Sequence, residues 1–91
     1  MKRIHIIVTG TVTGVGFRWW LKMRANERNI YGWVRNRTEN KVEAVFIGHE
    51  KDVDAIIKLC RKGSSSSNVE SIKIEDYQQE YFQKSFDILW E

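Results

Sequence analysis

Apolar and polar residues alternate over residues 4–12, "IHIIVTGTV". Ile4, Ile6, Val8 and Val12 share one side of an extended chain, which predicts a strand with one buried face. Ile7 adds an apolar residue on the other side. After a glycine-rich turn the period changes to that of a helix. Phe17, Trp20, Leu21 and Ala25 form an apolar stripe, Lys22, Asn26 and Arg28 face outward, and Asn29 and Gly32 bracket the end. "YGWVRN" is rich in strand formers, "RTEN" reads as a turn, and "KVEAVFIG" alternates again through Val42, Ala44 and Phe46. Together they predict a hairpin closing around residues 37–41. "HEKDVDAIIKLCRKG" is the clearest helix. Val53, Ile56, Ile57 and Cys60 share one face, acids fill the first turn, Arg61 and Lys62 the last, and Gly63 stops it. "SSSSN" is a loop. "VESIKIEDY" and "KSFDILW" read as further strands, the second with Phe86, Ile88 and Trp90 in alternation.

The order is β-α-β-β-α-β, with the pattern at residues 84–90 either extending the sheet edge or closing it. That implies the α/β (α+β) class: a ferredoxin-like βαββαβ sandwich, an antiparallel sheet with two helices on one face. Residues 1–91 are expected to form a single domain, since the chain is too short for a second core.

Composition narrows the function classes. The chain is 42% hydrophobic and 30% charged, an ordinary globular mixture. No apolar run approaches the roughly 18 residues of a membrane span. The apolar patch after Lys2 and Arg3 is shorter than the ~7–15 residues of a signal-peptide core. A cytoplasmic protein without a membrane partner is expected. The single cysteine, Cys60, excludes an internal disulfide and a cysteine-built zinc site, and its place on a helix's apolar face reads as core packing. His5 and His49 lack ligand-like company, so neither a metal nor a cofactor is expected. The net charge of +3 suits an anionic partner.

Within "TGTVTGVGFRWW" the first helix begins against the usual rules. Positions 14–16 read Gly-Val-Gly and offer no side-chain acceptor to the free amides of the first turn, and Arg18 opposes the helix dipole. Glycine lets such amides fold into a concave nest that takes an external anion. A bound phosphate would turn Arg18 from a liability into a bidentate partner. The alternative is a plain strand-to-helix turn with Arg18 on the surface. No GK[ST] follows, so this is no Walker loop. Asn36 ends the second strand, either as a turn former or, were the first two strands adjacent, as a side chain reaching toward that loop.

These residues resemble the acylphosphatase family. Its first signature runs glycine, any, valine, glutamine, glycine, valine, any, phenylalanine or methionine, arginine. Residues 10–18, "GTVTGVGFR", match except that Thr13 replaces glutamine. Residues 32–48, "GWVRNRTENKVEAVFIG", match the second signature apart from Asn40 in a glycine position, where a left-handed turn residue is expected. The resemblance covers essentially the whole chain. It implies hydrolysis of acyl phosphates, a small-molecule substrate class, to a carboxylate and inorganic phosphate, without metal. By motif position it implies Arg18 and Asn36 as catalytic residues, Arg18 binding phosphate and Asn36 orienting water. The backbone amides of Gly14, Val15, Gly16, Phe17 and Arg18 would supply the remaining phosphate contacts. A monomer is the simplest expectation. Two other readings remain: a catalytically idle anion-binding domain, which Thr13 allows, and an RNA-binding module. Such a module stacks bases on aromatics of its first and third strands; here the first has no Phe, Tyr or Trp and the third has one, without the basic-aromatic pattern, so no nucleic-acid partner is expected.

Overall fold

The computed structural model describes residues 1–81 and 83–90. The chain order is β1 (Lys2–Thr11), α1 (Phe17–Glu27), β2 (Tyr31–Thr38), β3 (Lys41–Gly48), α2 (Glu50–Lys62), β4 (Asn68–Asp76) and β5 (Phe86–Ile88). The strands form one sheet in the order β4-β1-β3-β2-β5. Ile4, Ile6 and Val8 of β1 point to one face, where they meet Val42, Ala44 and Phe46 of β3 and Val34 of β2. Both helices close over that face with Phe17, Leu21 and Ala25 of α1 and Val53, Ile56 and Cys60 of α2. The alternation read from the sequence is therefore the inward face of the sheet, and the helical stripes are its lid. Among the described residues no helix is long and apolar enough to cross a membrane.

The sheet is mixed where antiparallel pairing throughout was expected. β1, β3, β2 and β4 pair antiparallel, but β5 joins β2 in parallel, with Gly32 opposite Phe86 and Val34 opposite Ile88. The last strand thus extends the edge. It is also shorter than residues 84–90: Phe86 is buried, whereas Trp90 lies beyond β5 and is 75% exposed.

Local details follow from backbone chemistry. Asn29 takes φ 53 just after α1, and the amide of Ile30 donates to the Ala25 carbonyl at 3.0 Å, a left-handed stop that ends the helix. Gly32, expected to bracket that end, belongs to β2. A side chain there would lie 1.9 Å from the Val45 carbonyl oxygen, so only glycine lets β2 approach β3. Arg37 and Thr38, expected in the turn, continue β2, leaving Glu39 and Asn40 between the strands. Asn40 does not adopt the left-handed conformation expected of it; Asn29 is the only non-glycine residue with positive φ among the described residues. An irregularity between Asn36 and Thr38 absorbs the turn instead.

Candidate active site

Between β1 and α1 the chain alternates the sign of φ. Gly14 has φ 73 and Gly16 φ 74, while Val15 between them is not left-handed. Alternation of this kind turns successive amides toward one concave side. The amides of residues 14–18 donate to no acceptor among the described residues, and Gly16, the residue capping α1, brings no side-chain hydrogen bond. A Cβ added at Gly14 or Gly16 would meet nothing within 4 Å. Packing does not require glycine at either position; the left-handed conformation does. Val15 contributes its amide to the run and its side chain to the edge of the core.

This loop forms one wall of a cleft of about 470 Å³, a size ordinary for a small-molecule site. Gly14, Gly16, Phe17 and Arg18 line it, with Trp19 and Lys22 from α1 and Asp87, Ile88 and Trp90 from the C-terminal stretch. Arg18 and Lys22 stand one helical turn apart and give the cleft two cations. Asp87 is the acid among these lining residues, and its carboxylate is engaged: Tyr81 Oη donates to it at 2.5 Å and Ser85 Oγ at 2.9 and 3.1 Å. Burial, then the hydrogen bond to Asp87 and its charge, push the Tyr81 hydroxyl well above its ordinary pKa, so it stays a donor. The balance of the cleft is cationic, and its loop wall is a row of amide donors.

Asn36 is placed differently from the expectation. β1 and β2 are not neighbours, because β3 runs between them. Asn36 pairs with Val42, which pairs with Val8, so its side chain points to the helix-covered face at the end of the sheet where β1 gives way to the loop. Two contacts tie that loop to the β2–β3 turn: the Gly10 amide donates to the Asn40 carbonyl at 2.9 Å, and the Thr13 hydroxyl donates to the Glu39 carbonyl. Asn36 does not line the cleft of Arg18. It borders a different depression with Arg35, Arg37 and Thr38, and its Oδ1 is buried with no hydrogen-bond partner among the described residues. An acceptor buried without a partner costs about 1–3 kcal/mol.

The residues set aside in the sequence have structural roles. Cys60 is fully buried and burial pushes its thiol up to about 12, far from a nucleophile's range. His5 Nε2 donates to Glu43 Oε2 at 2.6 Å. Among the described residues no cluster of three or more His, Cys, Asp and Glu side chains could hold a metal ion. Sequence reasoning did not bring Lys22, Asp87 or Trp90 to the site. Lys22 carried a signal, its i+4 spacing from Arg18, while the other two arrive from the far end of the chain.

Comparisons with known proteins give the family and the fold. The family model described as Acylphosphatase matches residues 4–88. An acylphosphatase of Haloarcula marismortui is 38% identical over 88 residues, covering 97% of this chain and 96% of that protein. One of Chlorobaculum tepidum is 41% identical over 88 residues, with the same coverage of 97% and 96%. The crystal structure of acylphosphatase from Bacillus subtilis superposes with a TM-score of 0.91 at 33% identity, covering 99% of this chain and 100% of that one. A chain matched over nearly its whole length in sequence and in fold belongs to the acylphosphatase family.

Proposed function

We propose that the amides of residues 14–18 and the Arg18 guanidinium hold the phosphoryl group of an acyl phosphate while Asn36 orients the attacking water. Acylphosphatases are hydrolases acting on acyl phosphates, and these residues are the equipment this chain brings to that reaction. The observation that carries the proposal is the row of unpaired amides under alternating φ, opening on the same cleft as Arg18. Donors arranged this way match a tetrahedral dianion, and the planar guanidinium adds two parallel hydrogen bonds. The water oxygen forms a bond to phosphorus as the bond from phosphorus to the acyl oxygen breaks. The electron pair leaves with the carboxylate, and the water's proton passes to a phosphoryl oxygen of the substrate. A carboxylate with pKa near 4 needs no acid to help it leave, so positioning and charge stabilisation suffice. The buried Oδ1 of Asn36 is an acceptor able to fix the water by one of its hydrogens. No step calls for a metal.

The same proposal includes a monomer working as a single domain in the cytoplasm, for which gel filtration near 10.8 kDa is the check on oligomeric state. It leaves nucleic acid out. On the face away from the helices the central strands β1 and β3 present Arg3, Ile7, Thr9, Lys41, Glu43, Val45 and Ile47, with His5, hydrogen-bonded to Glu43, as their one aromatic ring.

The direct test follows benzoyl phosphate incubated with the folded protein in the presence of a chelator. Metal-independent loss of substrate with release of inorganic phosphate is expected. Phosphate binding without turnover would favour the idle anion-binding reading instead.

A further inference from the structure

We propose that Trp90 is a positioning residue for Arg18, so that the C-terminal stretch forms part of the phosphate site. The inference rests on Arg18 being the phosphate ligand. The Arg18 guanidinium carbon lies 4.5 Å from the centroid of the Trp90 ring, and both side chains line the same cleft. Trp90 is 75% exposed and lies beyond the last residue of β5, so core packing does not account for a large aromatic at this place.

Geometry decides what the contact does. A guanidinium stacked on an indole uses its face, whereas its N–H groups radiate in its plane. Trp90 therefore steadies the cation without occupying the donors that a phosphoryl group needs. An arginine at the first turn of a helix is otherwise a flexible side chain repelled by the helix dipole, as nothing acidic stands in the first turn of α1 to hold it. No hydrogen bond or ion pair to another described residue restrains its guanidinium either, which leaves the indole as its anchor among the described residues. Orientation set before the substrate arrives is freedom that does not have to be lost on binding. β5 supplies the framework: the Leu89 amide donates to the Val34 carbonyl at 2.9 Å, which fixes the chain one residue before Trp90.

The test compares W90F, W90L and W90A with the wild type, measuring kcat, KM and inhibition by inorganic phosphate alongside thermal unfolding. W90L and W90A are expected to raise the phosphate inhibition constant and KM by about two- to fivefold, the range for an exposed guanidinium–indole contact. W90F, which keeps an aromatic face, should recover most of that loss. Unfolding temperatures should stay within about 2 °C, since the residue is exposed. In an R18A background W90L should have no further effect. Leucine at 90 behaving like tryptophan, tighter phosphate inhibition in either truncation, or an undiminished effect without Arg18 would each overturn the positioning role. The R18A enzyme separates the two readings. If R18A alone leaves phosphate inhibition untouched, the assignment of Arg18 fails and this role with it. If R18A collapses inhibition while W90L equals the wild type, only the role of Trp90 fails.

Discussion

In the proposed reaction Arg18 and Asn36 meet different parts of the substrate, and their surroundings explain why. Arg18 projects from the first turn of α1 into a cleft with a second cation, Lys22, and a row of free amides. In the proposed reaction its charge meets the phosphoryl group in substrate and product and most strongly where charge develops in the transition state. Arg18→Ala is expected to lower kcat/KM at least about a hundredfold, the scale of one well-placed donor to developing charge, and to raise the phosphate inhibition constant. Asn36 is a neutral acceptor at the end of β2, bordering a separate depression. Asn36→Ala should reduce kcat strongly while leaving phosphate inhibition nearly unchanged, as steady-state kinetics with and without added phosphate will show. Equal loss of phosphate affinity in both variants would remove the division of labour. Thr13, which departs from the family signature, works at this scale too. Its hydroxyl donates to the Glu39 carbonyl, which braces the loop against the β2–β3 turn.

At the scale of elements, glycines at two kinds of position separate the proposed phosphate site from the packing of the sheet. Gly16 caps α1 in the left-handed region with open space where a side chain would go. Gly16→Ala is expected to destabilise the protein by only about 1–2 kcal/mol, through the backbone conformation alone, while obstructing the approach of phosphate to the amides. Gly32→Ala would drive a methyl group against the Val45 carbonyl and prise β2 from β3, so chemical denaturation should show a loss well beyond that of Gly16→Ala, with little folded protein recovered. Elements built from short-range pattern were legible in the sequence. α2 is one, with Glu50 and Asp52 in its first turn, Arg61 and Lys62 in its last, and Gly63 taking φ 79 as its stop. So was the glycine loop, because glycine spacing itself dictates where φ can turn positive. Strand order was not legible. Alternation tells which face of β2 is buried but not which strand lies beside it, so the placement of β3 between β1 and β2 could not be read. Trp90 stayed hidden for a related reason: an aromatic alternating with Phe86 and Ile88 looks like core until the strand is seen to end at Ile88. The Arg18–Trp90 contact joins nearly the two ends of the chain, and no local pattern encodes it.

Over the whole molecule, the sheet's two faces divide the work. The helix-covered face holds the core and the site, and the opposite face carries a polar crossing of the three central strands. Glu43 of β3, 8% exposed, takes Nε2–H of His5 from β1 at 2.6 Å and Nε–H of Arg35 from β2 at 2.8 Å. Trp33 stands beside both, 6.5 Å from the His5 ring and 5.6 Å from the Arg35 guanidinium. Burial alone would raise the Glu43 pKa, but the hydrogen bonds from His5 and Arg35, reinforced by their charges, outweigh it and hold the carboxyl below its ordinary value. A carboxyl with a lowered folded-state pKa stabilises the fold above its unfolded-state pKa of about 4.3, and that contribution fades as pH falls through the lower folded-state value. Urea titrations between pH 7 and pH 3 should therefore show wild-type stability declining on acidification, most steeply below about pH 4.5. Glu43→Gln should cost about 1–3 kcal/mol at pH 7, where charge-assisted hydrogen bonds are lost, and should show a shallower decline in the acidic limb. Because the crossing lies on the face away from the cleft, phosphate inhibition in the folded variant at pH 7 should match the wild type. A Glu43→Gln profile parallel to the wild type's down to pH 3 would mean that the strands are clamped by packing and not by this carboxylate.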